Sequence, residues 1–136
     1  MDFLRSIAIA ASGLRAQAGR MRIIAENIAN ADSTAPASGA EPYRRKISSF
    51  KSEIDRALDA QTVALGRVKT DPSDFRLKHE PGHPSADANG NVKYPNVNSL
   101  VEMTDLREAQ RSYEANINVI GATRRMIQRT LEILKI

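Results

Sequence analysis

No cysteine or tryptophan occurs among the 136 residues, and aromatic side chains make up only 4% of the chain. The first absence excludes disulfides and thiolate-held metals but leaves the redox compartment open, because many extracytoplasmic proteins carry no disulfide. The scarcity of aromatics predicts a thin core in a chain the size of one domain, so stability must come from helix pairing, within or between chains. No apolar run approaches the ~20 residues of a bilayer-spanning helix, which predicts no transmembrane segment. The opening residues could pass for a signal peptide. However, Asp2 precedes a short apolar run from Ile7 to Ala11, and Arg15, Arg20 and Arg22 carry one helical face through the point where cleavage would fall. An uncleaved amphipathic helix is the expectation.

The informative feature is a stripe that appears twice. Near the N-terminus Ile7, Leu14, Met21 and Ile28 recur every seven residues, flanked by Phe3, Ala10, Gln17 and Ile24. Near the C-terminus Leu106, Tyr113, Ile120, Ile127 and Leu134 do the same, flanked by Met103, Gln110, Ile117, Arg124 and Leu131. Two alternating columns at this spacing are the signature of helices that bury a seam against another helix. The predicted fold class is mainly α: long N- and C-terminal helices pairing as a coiled coil, with a small β-rich insert between them. The segments are residues 1–32, 33–98 and 99–136. At ~1.5 Å per residue the first helix is on the order of 40 Å long and the second about 55 Å. A pair of unequal helices leaves about two turns uncovered, at Ile127, Leu131, Leu134 and Ile136, and exposed apolar ends of this kind imply association with other subunits.

Local signals set the boundaries. Asp2 is the expected N-cap of the first helix, and Asn30-Ala31-Asp32-Ser33-Thr34 ends it. Asn27 and Asn30, three apart on the last turn, can cap backbone groups as the chain leaves the helix. Residues 35–42 read as loop. The spacing of Ile47, Phe50, Ile54 and Leu58 fits a short helix or an extended arm. Weak alternation at Val63–Lys69, Phe75–Lys78 and Asn91–Tyr94 predicts three short strands, the last after the turn dipeptide Asn89-Gly90. Ser99 and Glu102 form an expected capping box at the start of the second helix. Tyr113 reads as core. Arg124, where leucine would be expected, reads as a side chain that snorkels or pairs with a neighbour's acid.

The net charge of +4 and sequence pI near 9.7 raise a second reading, a basic nucleic-acid or membrane-surface binding module using Arg44, Arg45, Lys46 and Lys51 or Arg124, Arg125 and Arg129. No helix-turn-helix, ribonucleoprotein or zinc-finger pattern accompanies these clusters, and the insert carrying the first is expected to project and dock on neighbours. No nucleic acid, small-molecule substrate or cofactor is expected. Nor is an enzyme: His79 and His83 sit in a Pro/Gly loop without helical i, i+4 geometry, and no phosphate loop or nucleophile elbow occurs. Two carboxylates in a cleft, as glycan cleavage requires, have no obvious place in so small a β patch.

Longer motifs add a resemblance. Asn27-Ile28-Ala29-Asn30 is similar to the Asn-x-Ala-Asn core of bacterial flagellar rod, hook and hook-associated proteins. Glu80-Pro81-Gly82-His83-Pro84, Asn89 to Asn98, Glu102 to Leu106, and Arg111-Ser112-Tyr113-Glu114-Ala115-Asn116 closely resemble the proximal-rod members of that family, over essentially the whole chain. Many rod proteins follow the Asn-x-Ala-Asn core at once with a compact turn. Here Ser33 to Pro42 intervene before Tyr43-Arg44-Arg45-Lys46, which resembles the proximal-rod subgroup. The resemblance implies a structural subunit of the basal-body rod in the periplasm, exported without a cleaved signal peptide by the flagellar export apparatus. It implies helical assembly, with copies of itself and other rod subunits, into an axial structure that transmits torque. It also implies an assembly motif at Asn27, Ala29, Asn30, Tyr43, Tyr113, Glu114 and Asn116, where a plain helix-stop cluster is the alternative for the asparagines.

Overall fold

A computed structural model describes residues 2–135. Two long helices, α1 (Phe3–Ala29) and α2 (Ser99–Leu134), bracket six short strands: β1 (Lys46–Ile47), β2 (Phe50–Asp55), β3 (Ala60–Leu65), β4 (Lys69–Thr70), β5 (Arg76–His79) and β6 (Asn91–Tyr94). The strands form three separate antiparallel pairs, β1 with β4, β2 with β3 and β5 with β6. Ile136, expected at the uncovered helix end, lies outside the described residues.

The start of α1 follows from its first side chain. Asp2 Oδ1 accepts the backbone N–H groups of Leu4 and Arg5 at 3.0 and 3.2 Å, satisfying donors that a first helical turn leaves unpaired. At the other end Asn30 Nδ2 donates back to the Glu26 carbonyl at 2.8 Å and Ser33 Oγ to the Asn30 carbonyl at 2.9 Å, so polar side chains take over the backbone groups. The start of α2 differs from the expected capping box. Its cap is Asn98, whose Oδ1 accepts from Leu100 N–H at 3.1 Å, and Glu102 is turned inward instead. The stretch after Lys46, open between helix and extended arm, is extended: β2 pairs with β3 from Phe50↔Leu65 to Asp55↔Ala60. Asn89-Gly90 does not close a two-residue hairpin. Gly90, at φ 78°, ends a turn held by Asp87 Oδ1, which accepts from the N–H groups of Asn89 and Asn91 at 2.9 Å each.

The chain divides into two compact units, each using part of both helices: Met1–Met21, Ser49–Arg67 and Arg107–Ile136 in one, Arg22–Ser48 and Val68–Leu106 in the other. In the first, α1 buries a face of small residues. Ser12 Oγ accepts from Val63 N–H at 3.2 Å, and a Cβ on Gly19 would come within 2.9 Å of Leu65 Cδ2, so the β2–β3 hairpin lies directly on the helix. A Cβ on Gly13 would meet the Asn116 amide at 2.9 Å, and Arg20 lies 3.8 Å from Glu108, so α1 and α2 run antiparallel here. Extending that register sets Phe3 opposite roughly residue 126, and the last two turns of α2 run past the start of α1. In the second unit the buried apolar residues include Ile23, Ile24, Ala31, Ala35, Val92 and Val97.

Candidate assembly interface

The motif at the end of α1 becomes a site through Asn27, fully buried in the second unit. Its Nδ2 donates to the Lys46 carbonyl at 2.8 Å and to Glu102 Oε2 at 3.1 Å, while its Oδ1 accepts from Lys46 N–H at 2.9 Å and from the Tyr43 hydroxyl at 2.8 Å. Two donors and two acceptors are the whole capacity of an amide, and all four are used. Toward Lys46, the side chain acts as a neighbouring strand would, taking both backbone groups of one residue.

Glu102 is 1% exposed and would be costly if left alone. It is neutralised by Arg45, whose Nε donates to Glu102 Oε1 and whose guanidinium also lies 3.5 Å from Asp71 and 3.9 Å from Asp105. Asn96 completes the frame: its Oδ1 accepts from Arg45 N–H at 2.8 Å and its Nδ2 donates to the Asp71 and Ser73 carbonyls at 3.1 Å each. Lys46 Nζ pairs with Glu26, and Arg44 stacks on Phe75 at 4.2 Å from the ring centre while donating to the same two carbonyls. The basic cluster expected to project is therefore engaged inside its own unit. The reason is electrostatic: acids reach it from α1 (Glu26), the β4–β5 loop (Asp71) and α2 (Glu102 and Asp105).

This setting tunes its members. Burial, together with the nearby Glu26 and Glu102 carboxylates, pushes the Tyr43 hydroxyl up to about 12. Burial opposes the Arg45 charge, but hydrogen bonds to Glu102 and Asp71 outweigh it and move its pKa up. The Ser73 backbone N–H, then its hydroxyl and Arg45, hold Asp71 below the ordinary carboxylate range despite some desolvation. Beyond the node, Glu80 is lowered by hydrogen bonds from Lys78 and Tyr94, and Tyr94 is raised by the same contact.

Of the other motif residues, Asn30 caps the Glu26 carbonyl and Ala29 is exposed at the helix end. In the first unit Tyr113 is half-buried, Glu114 exposed, and Asn116 packed on Gly13 while donating to the Ser112 carbonyl at 2.9 Å. Among the seam residues, Ile24 is buried and Ile7, Leu14, Met21, Ile28, Leu106, Ile120 and Ile127 are half-buried. Met103 and Ile117 differ from the seam expectation and are exposed, because α2 is covered along a narrow stripe centred on Glu102, Ala109, Asn116 and Thr123. Beyond the reach of α1, Leu131, Ile133 and Leu134 are 54%, 71% and 76% exposed. On the column that ends at Ile133, Val101, Val119 and Met126 are also open to solvent.

The seam pattern did not register Ser12, Gly13 and Gly19, although two glycines inside a helix, each costing about 1 kcal/mol relative to alanine, were a signal of close approach. Asp71 and Asn96 left no local signal, while Arg45 reads only as part of a basic cluster and Glu102 only as a capping residue. Among the described residues, no helix is long and apolar enough to cross a membrane, and no group of three His, Cys, Asp or Glu side chains is placed to hold a metal ion.

Comparisons with known proteins fall on these features. Residues 7–35 match the family model described as flagella basal body rod protein, and residues 88–133 match that of the flagellar basal body rod FlgEFG protein C-terminal. The flagellar basal-body rod protein FlgC of Agrobacterium fabrum is 50% identical over 127 residues, 93% of this chain and 91% of that protein. FlgC of Bacillus subtilis is 39% identical over 150 residues, covering 99% of this chain and all of the relative. FlgC of Salmonella typhimurium is 39% identical over 133 residues, 98% of each.

Proposed function

We propose, from the premise that this chain belongs to the FlgC family of flagellar basal-body rod proteins, that its terminal helices are the surfaces through which it assembles. As a member of that family it is a structural subunit of the rod in the flagellar basal body, and not an enzyme. In the proposal the helices of segments 1–32 and 99–136 pair as a coiled coil and add neighbours along their uncovered flanks. Segment 33–98 braces the end of α1 through the Asn27 node. Partners are copies of this chain and other rod subunits. The rod lies in the periplasm, its subunits pass through the flagellar export apparatus with no signal peptide removed, and the helical stack carries torque.

The single observation that carries this reading is the bare end of α2, with Leu131, Ile133 and Leu134 in water. A subunit content to be alone would not display three large apolar side chains on two turns of helix. Contacts that cannot be satisfied within one chain and do not close on themselves propagate into a stack. The assembly motif then divides by role: Asn27, Asn30 and Tyr43 shape the end of α1, while Ala29 and Glu114, exposed, meet neighbours. A nucleic-acid reading is disfavoured by the pairing of Arg44, Arg45 and Lys46 with carboxylates and carbonyls of their own unit.

Replacing the gene by one encoding Leu131→Asp is the test. Purified basal bodies should lack complete rods and cells should not swim, while the variant is still exported. Normal swimming would remove the helix end as an assembly surface.

A further inference from the structure

A cleft of about 440 Å³ lies between the N-terminal half of α1 and the β2–β3 hairpin. Its apolar lining is Ala8, Ala11 and the 67%-exposed Ile54, and Glu53 and Asp55 stand on its rim beside Arg15. We propose that this cleft receives the C-terminal end of α2 from a second copy of this chain, a proposal that rests on the rod-subunit reading.

Shape and charge choose the occupant. Ala8 and Ala11 are three apart on α1, and Leu131 and Leu134 are three apart on α2. Small residues three apart on one helix make room for large ones on an antiparallel partner, in the same sense in which α1 and α2 already pack at Gly13 and Asn116. Leu131 then faces Ala11 and Leu134 faces Ala8, with Ile54 closing over them. The incoming segment from Arg124 to Lys135 carries four cations and one acid, and the cleft lining offers it the carboxylates of Asp55 and of Glu53, the latter shared with Lys51 at 2.6 Å, beside Arg15. Cations of the helix end thus meet carboxylates around an apolar centre.

The same molecule cannot fill its own cleft. In the register set by Gly13 against Asn116, Ala8 to Arg15 lie level with roughly residues 114–121, so Leu131 is about 20 Å further along a continuous helix. The contact is head-to-tail between copies: each subunit donates its helix end to one neighbour and accepts from another, which extends rather than closes.

The absence of cysteine permits a direct test with single-cysteine variants of the full chain. Ala11→Cys protein mixed with Leu131→Cys protein, and Ala8→Cys with Leu134→Cys, should give disulfide-linked heterodimers. The mismatched pair Arg15→Cys with Leu134→Cys should not. Adding Glu53→Lys and Asp55→Lys to the cleft partner should lower the yield about tenfold, and Arg125→Glu with Arg129→Glu on the helix partner should restore it. Restoration would show that the cleft variant is folded. Linkage of Leu131→Cys only to itself, equal linkage at all positions, or capture of a different rod subunit in basal bodies that contain rods would overturn the proposal and leave the rod reading standing. Undiminished swimming after deletion of the gene would remove both.

Discussion

The node around Asn27 and the far end of α2 stand at opposite extremes of self-sufficiency. At the node every polar atom of Asn27 has a partner, and a buried carboxylate is matched by a guanidinium. At the helix end, large apolar side chains face water without cover from their own chain. The first region is specified by directional bonds that tolerate little substitution. The second is specified only by being apolar, and its burial waits on a partner. A subunit built this way can fix its own shape while leaving its affinity for neighbours undischarged.

The contrast can be broken hardest at the node. Glu102→Ala removes the partner of Arg45 and one acceptor of Asn27, and should lower the free energy of unfolding by roughly 3 kcal/mol in urea titrations of the isolated protein. Asn27→Ala should cost about 2 kcal/mol by the same measurement, since it orphans both backbone groups of Lys46.

A pH series probes the same region with the sequence intact. Asp71 and Glu80 have depressed pKa values, so their contribution is present above about pH 4 and is lost as pH falls through their folded values. Tyr43 is pushed up to about 12, so its contribution is intact below about pH 10 and is lost as pH rises toward that value. Stability followed by circular dichroism should therefore be flat from about pH 5 to 9 and fall on both sides, with the alkaline loss reduced in Tyr43→Phe.

Smaller effects belong to the first unit. Gly121→Ala should stabilise by roughly 0.5–1 kcal/mol, because the added Cβ meets only Arg125 Nη1 at 3.5 Å and the helix gains propensity. Leu131→Asp should move the unfolding midpoint of dilute protein by less than about 0.5 kcal/mol while abolishing assembly. A large destabilisation there would mean that the helix end is covered within the chain.

How much of this was legible depended on how local the cause was. Both helices could be read because their signals, Asp2, the polar run after Ala29 and the heptads, repeat or lie within a few residues. The uncovered length of α2 followed from comparing the two. The hairpin at Phe50–Leu65 was open between helix and extended arm because the same apolar spacing serves either, and pairing with β3 decides it. Glu102 differs from its sequence reading for a specific reason: three residues after Ser99 it satisfies the capping pattern, yet Asn98 takes the cap and a half-buried guanidinium 57 residues away takes the carboxylate. The exposure of Met103 and Ile117 was hidden because the heptads described both helices as if each had one partner of full width. The small face of α1, Ser12, Gly13, Ala16 and Gly19, admits a hairpin on one side and a single narrow helix stripe on the other.

The hydrogen bond between Asn27 and Glu102 joins residues 75 apart in sequence. Closing so long a loop carries an entropic toll, and structures held by distant contacts form slowly. A chain that appears N-terminus first presents Asn27 long before Glu102 exists to meet it. For most of its emergence, the end of α1 is therefore held only by Tyr43 and Lys46, with one donor of Asn27 still unmatched. The last quarter of the polypeptide supplies the fourth bond of Asn27, so the node closes only when the second helix arrives.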